Sequence, residues 1–218
     1  MTGEALRLTG VQVRRKGRIV LSVPELVLAR GEMLAVTGPN GSGKSTLLLA
    51  SAGLLPLAAG SIRLFGASFH EGEAPACAHL RRRIAVVGQD PYLFRGTVER
   101  FVGYGLCCRA GTSGAGGRRA ATLALLEELD IASLAHRKTT TLSGGERKLV
   151  ALAAAVVTGA EMLLLDEHTA NLDERKAGLV RGLVERLRAE GRTLLLAGHT
   201  ARQDRVRELR LMDGRVLE

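Results

Sequence analysis

The stretch that most constrains this chain runs Gly38-Pro39-Asn40-Gly41-Ser42-Gly43-Lys44-Ser45-Thr46. It fits the pattern G-x-x-x-x-G-K-[ST], in which glycines let the backbone curl until consecutive N–H groups face one anion. The lysine can reach the β- and γ-phosphates of a nucleotide, and the Ser45 hydroxyl can sit on Mg²⁺. The flanks agree with this. Residues 33–37 read as a short buried strand, and the apolar run from Thr46 onward as the start of a helix expected to reach about Leu55. The loop thus lies at a helix N-terminus, where anions are favoured. A plain glycine-rich turn would need neither the lysine nor the hydroxyl.

At 218 residues the chain is long enough for one domain with a real core. With no Trp and 3% aromatic residues, that core has to be built from Leu, Val, Ala and Ile. The net charge of +9 would suit an anionic partner. However, no basic run exceeds Arg81-Arg82-Arg83 and no aromatics interleave it, so the charge reads as spread over the surface and no direct nucleic-acid contact is expected. The three cysteines, Cys77, Cys107 and Cys108, have neither disulfide-framework nor zinc spacing and suit a reducing cytosol. Cys77, His79 and His70 read as incidental loop residues. The first residues lack the pattern of a signal peptide. The longest apolar run, 149–165, is broken by Gly159 and Glu161, so the chain is not expected to cross a membrane.

Along the chain, residues 6–13 alternate as a half-buried strand. A second strand at 19–28 contains Pro24, which marks an edge or bulged strand. Further strands are expected at 60–66, 83–87, 162–165 and 193–197, with 67–79 irregular. Helices are expected at 97–106, 120–129, 147–157 and 173–190. The Gly/Ser/Ala-rich stretch 109–119 reads as a mobile surface loop, and Asp213-Gly214 as the turn of a final hairpin. Strands alternating with helices imply an α/β domain whose mostly parallel sheet is covered on both faces. In such sheets ligands bind at the carboxyl ends of strands. The glycine-rich loop, Gln89, Asp166-Glu167 and His199 all fall at such ends.

Four apolar residues followed by Asp166-Glu167 form a Walker B pattern. The strand would deliver Asp166 to Mg²⁺, through water, and place Glu167 near the γ-phosphate, where a carboxylate polarises an attacking water. Ser143-Gly144-Gly145, opening a helix, is a second phosphate-like cradle. One nucleotide does not need two cradles, so the second points to a nucleotide held by another copy.

Taken together, the chain resembles the ATP-binding subunit of ABC transporters over essentially its whole length. Leu142-Ser143-Gly144-Gly145-Glu146 matches the signature, with Glu in place of the commoner Gln. Gln89 matches the Q-loop glutamine, Asn171-Leu172-Asp173 the D-loop, and His199 the switch histidine. The resemblance implies a P-loop NTPase (RecA-like) core, about 1–89 and 159–218, with an N-terminal antiparallel β-subdomain and an inserted helical subdomain at about 90–158. It implies ATP and Mg²⁺ as ligands. Residues 38–46 would hold the phosphates, with Ser45, Gln89 and Asp166 toward the metal. Glu167 would be the general base, and Gln89 and His199 would contact the reacting groups. Ser143, Gly144 and Gly145 would close on the γ-phosphate across a head-to-tail dimer. The implied partners are a second nucleotide-binding domain and integral membrane subunits, at the cytoplasmic face of the membrane.

Three departures stand out. Where the family has an aromatic residue stacking on adenine, this chain has Arg15, whose guanidinium can also stack on a base. The proline usual after Asp-Glu is His168. The family's arginine in the helix after the signature is missing from residues 151–155. A single short chain without heptads resembles transporter subunits rather than the coiled-coil or tandem-domain soluble branches, though a soluble ATPase switch acting on nucleic acid is the alternative. The segments 97–106 and 145–148 are similar to energy-coupling-factor and cobalt/nickel-type importer ATPases.

Overall fold

The structure, a computed structural model, describes residues 3–69, 74–107, 115–198 and 206–217. Two twelve-residue strands, β1 (Glu4–Arg15) and β2 (Arg18–Ala29), open the chain as an antiparallel hairpin. β3 (Met33–Thr37) runs into the glycine-rich loop, and α1 (Lys44–Ser51) leaves it. β4 (Ala59–Leu64) and β5 (Ala67–Phe69) extend the hairpin sheet beyond β1. α2 (Ala74–Arg81) leads to β6 (Ile84–Val87). Three helices follow: α3 (Val98–Cys107), α4 (Ala115–Glu128) and α5 (Gly144–Val157). β7 (Met162–Asp166), α6 (Glu174–Ala189) and β8 (Thr193–Ala197) return to the sheet. A hairpin of β9 (Arg207–Met212) and β10 (Arg215–Leu217) ends it. The strand order is β5-β4-β1-β2-β10-β9-β3-β8-β7-β6. From β9 to β6 every neighbour is parallel, and β5 to β2 is antiparallel.

The central strands read as continuous apolar runs because both faces are covered. Their side chains alternate between two cores. Leu34, Val36, Leu164, Leu195 and Ala197 meet Leu47 and Leu48 of α1 on one face. Met33, Leu163, Leu165, Leu194 and Leu196 meet α5 and Val180 and Leu183 of α6 on the other. This double burial fixes register, since a one-residue slip would exchange the two faces of each strand.

The edge-strand expectation at Pro24 holds, without the interruption, and several others need correcting. The strand with Pro24 is unbroken, and its ladder with β1 keeps register across the proline, with Thr9 opposite Glu25 and Val11 opposite Val23. On its other side β2 meets β10 only at Ser22. It is therefore an edge strand where the proline falls, which is where the ring is tolerated. α1 stops at Ser51 rather than near Leu55. Gly53 there adopts φ +64°, and a Cβ at that position would lie 2.0 Å from the Phe69 ring. The stretch 67–79 holds a strand and a helix. α4 starts at Ala115, so the glycine-rich stretch is helical from there, while residues 109–114 lie outside those described. His70 and the Cys77 side chain lie outside them as well.

The C-terminal hairpin reaches the glycine-rich loop. Asp213 and Gly214 have φ +47° and +75°, as the central residues of a two-residue hairpin turn require. Gly214 N donates to Ser42 O at 3.0 Å, and Ser22 N donates to Gly214 O at 2.7 Å. The turn thus ties β2 to the loop. A Cβ on Gly214 would sit 2.4 Å from Val20 O, a backbone atom that cannot step aside. Gly214→Ala is expected to destabilise the fold by at least about 1–3 kcal/mol from strained backbone and to weaken nucleotide binding by loosening the loop. Urea denaturation and titration with a fluorescent ATP analogue measure both effects; a parental midpoint and affinity would show that the turn carries no such constraint.

Candidate active site

The loop between β3 and α1 is built around an unfilled helix start. Gly43, at φ +101°, is the N-cap of α1, and no side chain caps the helix. The first turn carries no acidic residue either. The first amides of α1 are therefore free for an external anion. Lys44 is buried, and its Nζ donates to Gly38 O at 2.8 Å and Pro39 O at 3.0 Å. Two carbonyls hold the ammonium over the loop, in the place of phosphate oxygens. Gly38 is obligatory: at φ +144° its Cβ would lie 2.1 Å from Leu211 O on β9. Ser42 is buried and supports the loop through its backbone, donating from N to Pro39 O at 3.2 Å.

This loop lines a cleft of about 430 Å³ together with side chains from three other parts of the chain. Asn40, Gly41, Gly43, Lys44, Ser45 and Thr46 form its floor. Arg15 and Val20 come from the β1–β2 hairpin, Gln89 from just beyond β6, and Glu167 from just beyond β7. Asp166, the last residue of β7, is buried and accepts a hydrogen bond from the Ser45 side chain. Burial pushes its carboxyl up from the ordinary range, the Ser45 bond works against that, and the nearby Glu167 carboxylate adds to the rise. A carboxylate raised by desolvation gains from a cation placed beside it. Ser45 and Asp166 together are a hard oxygen pair suited to Mg²⁺.

Glu167 occupies a conformation that costs about 1–3 kcal/mol for a residue with a Cβ: its φ is +47°. It is held there by bonds at both ends. Its N donates to Ala197 O at 2.7 Å, and its O accepts from Ala170 N at 3.0 Å. It also accepts from Lys148 Nζ at 2.9 Å. Strain of this kind persists where the surroundings over-determine it, and it turns the carboxylate toward the cleft.

Ser143, Gly144 and Gly145 are elsewhere, at the start of α5, and do not line this cleft. Ser143 and Glu146 form a reciprocal cap: Glu146 N donates to Ser143 Oγ at 3.3 Å, and Ser143 N donates to a Glu146 carboxylate oxygen at 2.7 Å. Arg137 adds a 2.9 Å bond to Glu146. These donors hold the Glu146 carboxyl below its usual range, the Ser143 amide first. This is a physical reason for Glu at a position where the resemblance leads one to expect Gln. The cap uses Ser143 Oγ as an acceptor and leaves its hydroxyl hydrogen for a ligand. Gly144 faces open space, whereas a Cβ on Gly145 would crowd Leu172 at 3.3 Å and Asn171 O at 3.4 Å. His199 lies outside the described residues.

Two residues near the site carry more weight than the sequence reading gave them. Lys148 is buried, an exception for a lysine; the signal was its place directly before the apolar run of α5. His168 is also buried, and its Nδ1 has no hydrogen-bond partner among the described residues.

A model of the ABC transporter family matches residues 21–170. The chain belongs to that family. A phosphate import ATP-binding protein, PstB 2, of Natronomonas pharaonis is 36% identical over 98% of this chain and 78% of its own length. A cobalt import ATP-binding protein, CbiO, of Rhodobacter capsulatus is 40% identical over 88% of this chain and 69% of its own length. The dimeric, post-hydrolysis ATP-binding cassette MJ0796, bound to ADP and Pi, superposes with a TM-score of 0.87 at 25% identity, covering 98% of this chain and 97% of that one. The fold is accordingly that of an ATP-binding cassette with a P-loop NTPase core.

His168 makes a pH dependence. Burial first, then the charges of Lys148 and Arg181, push its imidazole down to about 4. In the unfolded chain it binds a proton near 6.5, so between these values the unfolded state takes up more protons than the folded one. Stability is full above about pH 6.5 and falls as the pH drops toward 4, where His168 contributes a loss of about 3 kcal/mol. His168→Gln is expected to flatten that part of the stability profile, measured by denaturant unfolding from pH 4 to 8. An unchanged slope would show that this histidine is not the group responsible.

Proposed function

We propose that this chain is the ATP-hydrolysing subunit of a membrane transporter, working as a head-to-tail pair with separate membrane-spanning subunits. The observation that carries this reading is the separation of two half-sites. The cleft gathers Lys44, Ser45, Gln89 and Glu167, with Asp166 buried behind Ser45 and hydrogen-bonded to it, while Ser143 to Gly145 present a second, outward-facing cradle away from it. A second copy would bring its cradle to the first copy's nucleotide.

In this reading the free amides of α1 and Lys44 bind the β- and γ-phosphates, and Lys44 exchanges its Gly38 and Pro39 carbonyls for phosphate oxygens. Ser45 and Asp166, with the Gln89 amide at the rim, would hold Mg²⁺, which supplies charge neutralisation at the phosphates when bound. Glu167 takes the proton of the attacking water, and Gln89 helps to orient that water. His199 would contact the γ-phosphate. Arg15, exposed and beside Val20 at the edge of the cleft, would stack on the base in place of an aromatic ring. The division into a core, about 1–89 and 159–218, and a helical part, about 90–158, puts the second cradle and the membrane-facing surface on the same part. Tyr92, 86% exposed, and Tyr104, 57% exposed, lie on that part and fit a membrane subunit's docking helix. None of the described helices is long and apolar enough to cross a membrane; a peripheral place at the cytoplasmic face is part of this proposal. Relatives named for phosphate and for cobalt import are similar to this chain over most of its length, so in this reading the cargo is chosen by the other subunits.

Glu167→Gln is expected to lower the ATPase rate by roughly 10²–10⁴-fold, the usual weight of a positioned acid or base, with ATP affinity retained. Tagged Glu167→Gln protein, incubated with ATP in detergent-solubilised membranes, is expected to retain a polytopic membrane protein. Unchanged turnover would remove Glu167 as the base, and recovery of soluble partners alone would contradict the transporter reading.

A further inference from the structure

Lys148 is a buried ammonium that the chemistry above does not use. It sits on α5 three residues after Gly145, so both lie on one face of the helix. That face is seated on the segment between β7 and α6. Gly145 approaches Asn171 and Leu172 so closely that a Cβ would be 3.3–3.4 Å from them. One turn further, Lys148 Nζ donates to Glu167 O and to Ala170 O, each at 2.9 Å. Glu167 O also accepts from Ala170 N, so the lysine closes the turn that begins at the carboxylate-bearing residue. A charged group is not buried without compensation. Here two main-chain carbonyls supply it, and the acidic side chains of Glu167, Asp90 and Asp166 surround the site.

We propose that Lys148 is a positioning residue that ties the signature helix to the catalytic carboxylate, so that α5 and the Glu167 peptide move as one body. The inference rests on Glu167 acting as the base. Its physical content is that Glu167 keeps a left-handed backbone, and therefore its aim into the cleft, only while both carbonyls of the 167–170 turn remain bonded to the lysine. The same α5 carries Ser143 to Gly145 at its start. A shift of that helix, whether imposed by a second copy or by a membrane subunit, is then transmitted to the carboxylate through two hydrogen bonds. Closure of the cradle and readiness for hydrolysis become one event.

Three variants test this in the full chain by steady-state phosphate release over a range of ATP concentrations. Lys148→Met keeps the length of the side chain and removes its donors. It is expected to lower kcat by roughly 10–100-fold, the usual cost of removing a supporting group behind a catalytic one, with KM for ATP near the parental value. Lys148→Arg, which keeps charge and donors, is expected to recover most of the rate. In the Glu167→Gln background, Lys148→Met is expected to cost nothing further, since the group it positions is already gone. Should Lys148→Met not fold, Lys148→Gln enters the same cycle with the same expectation of non-additivity. An unchanged kcat in Lys148→Met, a loss confined to KM, or full multiplication with Glu167→Gln would each overturn the proposal. A Glu167→Gln variant with parental turnover would instead remove the base assignment on which it rests.

Discussion

The arrangement of the site depends on one constraint: the first turn of α1 has neither a side-chain cap nor an acidic residue, which leaves its amides for an anion. A helix start costs free energy when buried without partners. Here it is left without a side-chain cap and without acidic residues, and the loop before it is pinned from two directions. β9 presses against Gly38 so tightly that no side chain fits, and the β9–β10 turn bonds to Ser42 O. The last strands of the chain thus shape a loop that begins at residue 38. Lys44, folded back on two carbonyls of the loop, keeps the positive charge in place before a ligand arrives.

The remainder of the site follows from strand ends. β6 and β7 are parallel neighbours and deliver Gln89 and the Asp166-Glu167 pair to the same edge as the loop after β3. The double burial of β7 and β8 makes that delivery rigid. The second cradle is fixed by different means, a reciprocal cap between Ser143 and Glu146 braced by Arg137. Two glycine-rich helix starts are thus built independently and face different surroundings. This arrangement suits a nucleotide shared between copies better than one held by a single chain.

Much of this was legible in the sequence because the residue types are chemically irreplaceable: a lysine after glycines, an acid pair after an apolar strand, Asp213-Gly214 between two short strands. What was not legible depends on packing across the chain. The early end of α1 is set by the Phe69 ring beside Gly53, sixteen residues away. Gly116 and Gly117, both exposed, lie in the first turn of α4 against their local preference, and the helix they open packs on α3 and α5 further along. Pro24 gave a correct warning of an edge strand, but the partner that leaves it exposed, β10, comes from the far end of the chain. Lys148 entered the sequence reading only as part of the 145–148 segment that resembles one branch of importers. Its acceptors are carbonyls nineteen and twenty-two residues further on, and no spacing rule points to them.

The measurement that bears most directly on this account is sedimentation velocity of the Glu167→Gln protein with and without MgATP, beside the double variant Glu167→Gln/Ser143→Arg. If the nucleotide is shared between the cleft of one copy and the cradle of another, the first protein dimerises only with ATP. The second still binds ATP but stays monomeric. A double variant that binds ATP and dimerises as well as the first, or a Glu167→Gln protein that stays monomeric when saturated with ATP, would contradict it.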